Sequence, residues 1–237
     1  MAVAHVQNPA TYARSTGATS VNLSFGTTPT VGNRALVVAH QWSSGTKGIS
    51  VPTDNQGNTY TEHVETSDAG DQRASHASAQ ISTASGTFTV TQGFASTSWC
   101  AVMILEKSGI DHSSPVVTTN GSNGSSTTAS SGSVTPNSAD DLCIASVSHE
   151  GTAATITVVA GSNFTQRVEI EDFSSGQPSN IAERQATGAQ QCQWTLSSTA
   201  GWIASICVYK ASGGAVSRLP INNILINYMH PVARLGL

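Results

Sequence analysis

The chain has 237 residues, of which only 10% are charged, and its formal net charge at pH 7 is −4. This length allows one large all-β domain or two of ordinary size, with enough residues to bury a core without disulfide support. The low charge and the recurring apolar runs argue against intrinsic disorder, which combines low hydrophobicity with high net charge. The negative net charge also argues against a general nucleic-acid-binding protein.

The first half of the chain contains short segments of alternating small and apolar residues, a pattern typical of strands joined by tight turns. Predicted strands include "VNLSFG" from Val21, "ALVVAHQW" from Ala35 and "SWCAVMILE" ending at Glu106. The segment "TDNQGNTY" predicts a turn, because Asp54 can accept bonds from nearby backbone amides and Gly57 can adopt a positive φ. The nearly continuous apolar run "VMILE" predicts a strand that is buried on both faces.

A stretch rich in Ser, Thr, Gly and Asn follows, and we expect part of it to be a loop between two halves. Its later portion, "TTASSGSVT", corresponds to "SVNLSFGTT" in the first half and is interpreted as the opening strand of a second unit. The predicted division is a first β-sandwich repeat in residues 1–110, a linker in 111–127, a second repeat in 128–212 and a docking tail in 213–237.

Three landmarks occur twice in the same order, which indicates an internal duplication. The clearest is "STSWCAVMILEKSG" in residues 96–109, which aligns with "TAGWIASICVYKASG" in residues 199–213. The offset between the copies falls slowly along the chain, from 106 to 104 to 103 residues. The aligned pairs that define it are Leu36 with Leu142, Tyr60 with Phe164, and Trp99 with Trp202.

These features predict an all-β fold of two repeated antiparallel β-sandwich or jelly-roll-like halves, followed by a C-terminal arm or short helix. Two unrelated sandwiches with similar strand patterns are the alternative to a duplication. The sequence also leaves open whether the halves are separate sandwiches or share sheets in one larger body.

The C-terminal segment differs from the rest, because it has an i, i+3, i+4, i+7 apolar pattern between two prolines and has no counterpart after the first repeat. All fourteen acidic residues lie at or before Glu183, so a basic, acid-free segment contains this tail. The tail is expected to cover either its own sandwich or another subunit. The residues predicted to contact a partner are Arg218, Leu219, Ile221, Ile224, Leu225, Tyr228 and Arg234.

The segment "AVAHVQNPATYARS" after Met1 lacks the apolar core of a signal peptide, and no apolar run approaches the ~20 residues of a membrane span. We therefore expect synthesis in a host cytoplasm and no membrane partner. The four cysteines have no zinc-site spacing and are expected to be buried thiols, although a bond between the last two stays open. They are Cys100, Cys143, Cys192 and Cys207.

Three motifs together resemble a β-sandwich group found in tailed-phage virions and in related bacterial surface modules. They are a strand of the type "G-N-x-L-V-V-A", written here as "GNRALVVA" with one extra residue in residues 32–39, a "T-D-x-x-G-N-T-Y" turn in residues 53–60, and an "E-x-S-G-I/V-D-x-x-S-P" segment in residues 106–115. The resemblance covers about residues 20–212 and omits the tail. It implies a sandwich fold and the setting of a virion surface protein, a fibre-associated module or an adhesin-like module.

No catalytic motif is present in the sequence: there is no Gly-x-Ser-x-Gly elbow, no His-Glu-x-x-His pair and no phosphate-binding Gly-rich loop. The residues "DHSS" at 111–114 contain types found in catalytic triads, but they are better explained as a turn. Glu106 ends a strongly apolar strand and is expected to hydrogen-bond at the end of a sheet. We therefore predict no enzyme activity, no cofactor and no metal site.

The tryptophans are the remaining candidates for ligand contact. Trp99, Trp194 and Trp202 lie in apolar strand patterns and are predicted to pack in a core. Trp42 instead precedes the Gly- and Ser-containing segment "SSGTKG", and it is the one aromatic residue that we consider for stacking on a sugar.

The expected function is that of a non-enzymatic phage virion structural protein, made in the host cytoplasm and located in the virion. A capsid decoration or cement protein, or a head-fibre-type protein, is the form expected. Its partners would be copies of itself, as a homo-oligomer, and other capsid or tail proteins, but not nucleic acid. The alternative is a carbohydrate-binding or adhesin module of a phage fibre or bacterial surface protein.

Overall fold

The computed structural model describes residues 1–150, 155–170 and 178–213 of this chain. Within these ranges the regular structure consists of β-strands and one 3₁₀ turn at Ala160–Ser162, which confirms the all-β class. The first six strands are Ala4–Ser24 (β1), Arg34–Trp42 (β2), Thr53–Asp54 (β3), Tyr60–Ser67 (β4), Gln72–Gln80 (β5) and Thr89–Ser108 (β6). The next six are Val116–Ser130 (β7), Leu142–His149 (β8), Ile156–Val158 (β9), Thr165–Ile170 (β10), Ser179–Gln185 (β11) and Gln193–Tyr209 (β12). No helix in the described ranges has the length and apolarity needed to cross a membrane.

The strands form two antiparallel sheets, one in each half of the chain. The first has the order β1-β6-β2-β5-β4, with β3 paired to β6. The second has the order β7-β12-β8-β11-β10, with β9 paired to β12. Each strand of the first sheet therefore occupies the same place as the strand six positions later in the second sheet.

Each sheet has an apolar cluster of its own. In the first half, Val90 near the start of β6 and Ile104 near its end belong to the same cluster, so the long strand must bend between them. The pairing of β1 with β6 is irregular at this bend, where its register jumps between Ala18 and Ser20. The pairing of β7 with β12 has an irregularity in the corresponding region.

A third apolar cluster lies between the two sheets and joins the halves into one body. It includes Leu36, Val38 and Met103 from the first sheet, together with Ile144 and Ile181 from the second. Edge strands also meet, since β4 contacts β7 and β1 contacts β10. The halves are thus neither independent sandwiches nor one shared sheet, but two curled sheets packed back to back.

The central strands are buried on both faces, as the run "VMILE" predicts. Along β2, Ala35 and Val37 face the cluster within the first half, whereas Leu36 and Val38 face the second sheet. All four side chains are at most 1% exposed. Because neighbouring side chains alternate between faces, such a strand contributes to two cores at once.

Most of the predicted linker in residues 111–127 belongs to strand β7, which spans residues 116–130. This strand pairs with β12 along the edge of the second sheet. Its glycines permit close packing: a Cβ on Gly124 would lie 2.8 Å from Cζ2 of Trp202, and one on Gly121 would lie 1.9 Å from Oγ1 of Thr66. The small residues of this segment, whose composition is typical of a linker, therefore allow β7 to pack closely against Trp202 and Thr66.

The alignment of Trp99 with Trp202 is wrong by one residue. Trp202 packs in the cluster inside the second half, whereas Trp99 pairs with Trp42 at the rim between the sheets. Leu105 and Tyr209 both lie between the sheets, and each pairs with a leucine of the neighbouring central strand. These two residues are 104 positions apart in the chain. An odd error in the offset reverses the face to which every side chain points.

Candidate functional site

The most distinctive surface feature is a pair of stacked indoles. Trp42 ends β2, Trp99 lies directly opposite it on β6, and directly opposed residues in antiparallel strands point to the same face. Their ring centroids are 4.4 Å apart and the ring planes are inclined by 21°. The Trp99 side chain is 42% exposed, so the sequence-based expectation that it is a core residue is wrong.

The cause of this exposure is the position of the pair at the rim of the contact between the sheets. On the same face of β6, Ala101, Met103 and Leu105 are fully covered by the opposite sheet. The alternation that buries these residues also aims Trp99 at the opposite sheet, but at the rim the sheets border an open groove of about 470 Å³. Both halves of the chain line this groove.

The carboxylate of Glu150 borders the groove from the second half. The indole Nε1–H of Trp42 donates to Oε2 of Glu150 over 3.1 Å, a contact between residues 108 positions apart. The backbone amide of Glu150 donates to the carbonyl of Gly201, and a Cβ on Gly201 would lie 2.3 Å from Oε1 of Glu150. Gly201 therefore leaves the space that this carboxylate occupies.

The sequence identifies one member of this site and misses the others. Trp42 is the predicted ligand contact, and the structure places it in the groove. Trp99 and Glu150 could be found only by knowing that β2 pairs with β6 and that β8 ends opposite them. The one local signal is that Trp42 ends an apolar strand and Trp99 begins one, as partners at the end of an antiparallel pair do.

The predicted docking tail lies outside the described residues, which end at residue 213. This applies to every tail residue predicted to contact a partner, namely Arg218, Leu219, Ile221, Ile224, Leu225, Tyr228 and Arg234.

The two predicted turns are built from side-chain-to-backbone bonds. Oδ1 of Asp54 accepts from the amides of Gln56 and Asn58 at 2.9 and 3.1 Å, and Gly57 has a φ of 79°. Oδ1 of Asp111 accepts from the amides of Ser113 and Ser114, and these bonds help to lower the pKa of Asp111 to about 2. Both aspartates therefore have structural roles in the described fold.

A buried ion pair joins the halves at another place. The side chain of Lys107 is 1% exposed, and its ammonium contacts Oε2 of Glu183, whose other oxygen accepts from Nε of Arg167 at 2.6 Å. Burial lowers the pKa of Lys107, while the Glu183 carboxylate raises it in part. One carboxylate thus holds two cations, and the arrangement fixes the relative position of β6, β10 and β11.

A second buried polar cluster lies between the central strands of the two sheets. Oγ of Ser146 is 3.2 Å from Nε2 of His40, 3.0 Å from Nε2 of His76 and 3.0 Å from Oγ of Ser205. All four residues are completely buried or nearly so. Burial lowers the pKa of both imidazoles to about 3, so that both are neutral at pH 7.

Among residues 1–150, 155–170 and 178–213, no group of three or more His, Cys, Asp or Glu side chains is arranged to hold a metal ion. All four cysteines are buried thiols in this part of the chain. Of the concave features in the described ranges, the groove at Trp42 contains a residue predicted to contact a ligand. Comparison of the chain with protein-family models, with curated proteins and with solved structures finds no match.

Proposed function

We propose that this chain is a non-enzymatic structural protein of a phage virion. It would serve as a capsid decoration protein or a head-fibre-type protein, and it would assemble with itself and with capsid or tail proteins. The single observation that carries this proposal is that residues from two of the motifs that resemble those of virion β-sandwich proteins contact one another in the fold.

The contact centres on Glu106, which begins the third motif. Its Oε1 accepts from Nδ2 of Asn33 in the first motif at 2.5 Å, and from the amide of Thr30 just before that motif at 2.9 Å. Its Oε2 accepts from Nε2 of Gln7. These motif residues hold strand ends together, a role that suits a structural module better than a catalytic one.

We also infer that the two halves are repeated β-sandwiches that arose by duplication. The identical strand order supports this inference. So does a shared irregularity: the pairing of β4 with β5 skips His63, and the pairing of β10 with β11 skips Arg167 at the corresponding place. β-Bulges are structural features that families retain, so two at matching positions favour a common origin.

The proposal is tested with phage particles purified on a density gradient from a lysate of the bacterium that carries the gene. Quantitative mass spectrometry should find the chain in the particle fraction, at a copy number proportional to that of a capsid or tail protein. A host cytoplasmic protein of similar mass controls for contamination. If the chain stays with that control protein in the soluble fraction, the proposal is wrong.

Carbohydrate binding is the second candidate function, and the stacked pair of Trp42 and Trp99 is the observation that favours it. The two functions are compatible, because a structural module of a particle can also contact a cell-surface sugar. Sugar binding at this pair does not depend on virion assembly.

A further inference from the structure

We propose that the groove between the two sheets at Trp42, Trp99 and Glu150 binds a pyranose ring of a sugar that carries no acidic group. This binding function goes beyond the proposed structural role, and either could hold without the other. The groove has a volume of about 470 Å³, within the range typical of small-molecule sites.

One indole of the pair, that of Trp99, is exposed to solvent at the groove. Aromatic residues make up only 5% of this chain, yet one of its four tryptophans is 42% exposed. The other large apolar residues that are exposed in the described ranges are Met1, Val6, Val31 and Val51, and none of these lines the groove. An exposed indole beside a concave surface is typical of a binding site.

The aromatic surface of the stacked pair is flat. The indoles of Trp42 and Trp99 lie nearly parallel, with an angle of 21° between their planes. Because they are stacked face to face, each ring covers one face of the other, and a ligand can stack only on an outer face of the pair. This single flat face is the platform, whereas a cage for a quaternary ammonium ion surrounds the cation with rings. The C–H bonds on one face of a pyranose are weakly positive and complement the negative face of an indole. A flat pyranose thus fits this platform better than a compact cation does.

Polar side chains line the groove beside the platform. The indole of Trp42 holds Oε2 of Glu150 at the edge of the groove, and exposed Ser125 and Thr199 contribute hydroxyl groups. A carboxylate accepts hydrogen bonds at both oxygens, and a hydroxyl both donates and accepts. A sugar presents several hydroxyl groups around its ring, so its rim matches these partners.

The described lining of the groove carries a negative charge. The described residues that line the groove include the acidic Glu150 and no Lys or Arg, and the whole chain has a net charge of −4. This potential disfavours uronic acids, sialic acids and the phosphates of nucleotides. The preferred ligands are therefore neutral hexoses and N-acetylated hexosamines.

The test is isothermal titration calorimetry, supported by saturation-transfer NMR, on the full chain. The probes are the methyl glycosides of glucose, galactose, mannose and N-acetylglucosamine, with maltotriose as an oligosaccharide. Glucuronic acid and tetramethylammonium are the comparison ligands. A monosaccharide is expected to bind with roughly millimolar affinity, and neither comparison ligand is expected to bind as tightly.

Three variants distinguish this site from the rest of the surface. Trp99→Ala should weaken binding at least about tenfold, because a central aromatic contact is lost, and Trp99→Phe should weaken it less. Gly201→Ala should also weaken binding while leaving both rings present, because the added Cβ would displace the Glu150 carboxylate. Val31→Ala, at an exposed apolar residue outside the groove, is the matched control, and thermal melting verifies that each variant folds.

Several results would overturn the proposal. They are the absence of binding by every sugar probe, sugar binding that Trp99→Ala leaves unchanged, and tighter binding of tetramethylammonium than of any sugar. The proposal would also be wrong if no sugar bound and Trp99→Ala abolished self-association, since the pair would then be a contact between copies of the chain. None of these outcomes depends on whether the chain is found in particles.

Discussion

Glu106 is a buried carboxylate that connects three separate segments of the first half. It is 1% exposed, and its two oxygens accept from Gln7, Thr30 and Asn33. The side-chain oxygen of Gln7 is already occupied, because it accepts from the amide and the hydroxyl of Thr27. The donor group of Gln7 is therefore oriented by further bonds, and that of Thr30 belongs to the backbone.

We expect Glu106→Gln to lower the free energy of unfolding by about 2–3 kcal/mol, although the side chain keeps its shape. If the new NH₂ group takes the place of Oε2, it would face the NH₂ group of Gln7, and two donors cannot bond to each other. Turning the Gln7 amide would present its oxygen to the new group, but it would break the bonds of that oxygen to Thr27. Urea unfolding measures the change. Asp140→Asn, at an exposed carboxylate, is the control and should stay within about 0.5 kcal/mol. Equal losses in both variants would show that the bonds to Glu106 add little.

At the scale of single strands, the sequence of β6 predicts the strand and its burial but not its register. Its apolar run predicts a strand buried on both faces, and this prediction is confirmed by Val102 in one cluster and Met103 in another. The same property hides the register, because a strand with two apolar faces has no polar alternation to show which residues point inward. The sequence therefore predicts the strand but not the outward position of Trp99.

Strand β7 differs from β6, because its sequence lacks the apolar pattern by which a strand is predicted. Small residues there allow the edge of the second sheet to approach both Trp202 and Thr66. Such contacts join residues that are distant in sequence, and no local pattern reports them. For the same reason, Trp42 could be proposed as a ligand contact from its neighbours, whereas Glu150, 108 residues away, could not.

We expect Gly121→Ala in β7 to lower the free energy of unfolding by about 1–3 kcal/mol, the range typical of overpacking. The added Cβ would lie 2.8 Å from Cγ2 and 2.9 Å from Cβ of Thr66, and the Cβ atom cannot move away by rotation of the side chain. Gly26→Ala, which would meet nothing within 4 Å, is the matched control. Unchanged denaturation midpoints in Gly121→Ala would show that the edges of the sheets separate without cost.

At the scale of the whole molecule, the contact between the sheets combines an apolar centre with neutral buried histidines. His40 and His76 have pKa values lowered by burial to about 3, and burial, assisted by the charge of Arg34, lowers that of His63 to about 4. Below about pH 6.5 the unfolded chain binds protons at these residues that the folded chain does not bind. The free energy of unfolding therefore falls as the pH decreases from about 6.5 towards 3.

The expected loss is about 2 kcal/mol for each of His40 and His76 at pH 5, relative to pH 7.5. Urea unfolding between pH 7.5 and pH 4 measures it. His76→Gln should reduce the dependence on pH by about 1.4 kcal/mol per pH unit below pH 6, because one such residue no longer takes up a proton on unfolding. His112→Gln, at an exposed histidine, is the matched control. If His76→Gln leaves the pH dependence unchanged, the buried cluster does not cause the acid sensitivity.

The last described residues of the chain are attached to the first half just after β6. Ala211 forms a bridge to Ile110, and the amide of Ser212 donates to the carbonyl of Gly109 over 2.7 Å. Ala211 is also the last described member of the cluster between the sheets.

We expect a chain without residues 215–237 to melt within about 3 °C of the full chain, because the tail is predicted to dock onto another protein and not to cover its own sandwich. The same truncation should prevent incorporation into particles, because each large apolar side chain of the tail could contribute roughly 1.5–3 kcal/mol to docking before ordering costs. Many copies on one lattice would add avidity to that contact. Calorimetry and gradient-purified particles measure the two effects, and Arg218→Ala with Arg234→Ala in the full chain tests whether an acidic partner is involved. A large fall in melting temperature would mean that the tail covers its own sandwich, and normal incorporation of the truncated chain would mean that it has no part in assembly.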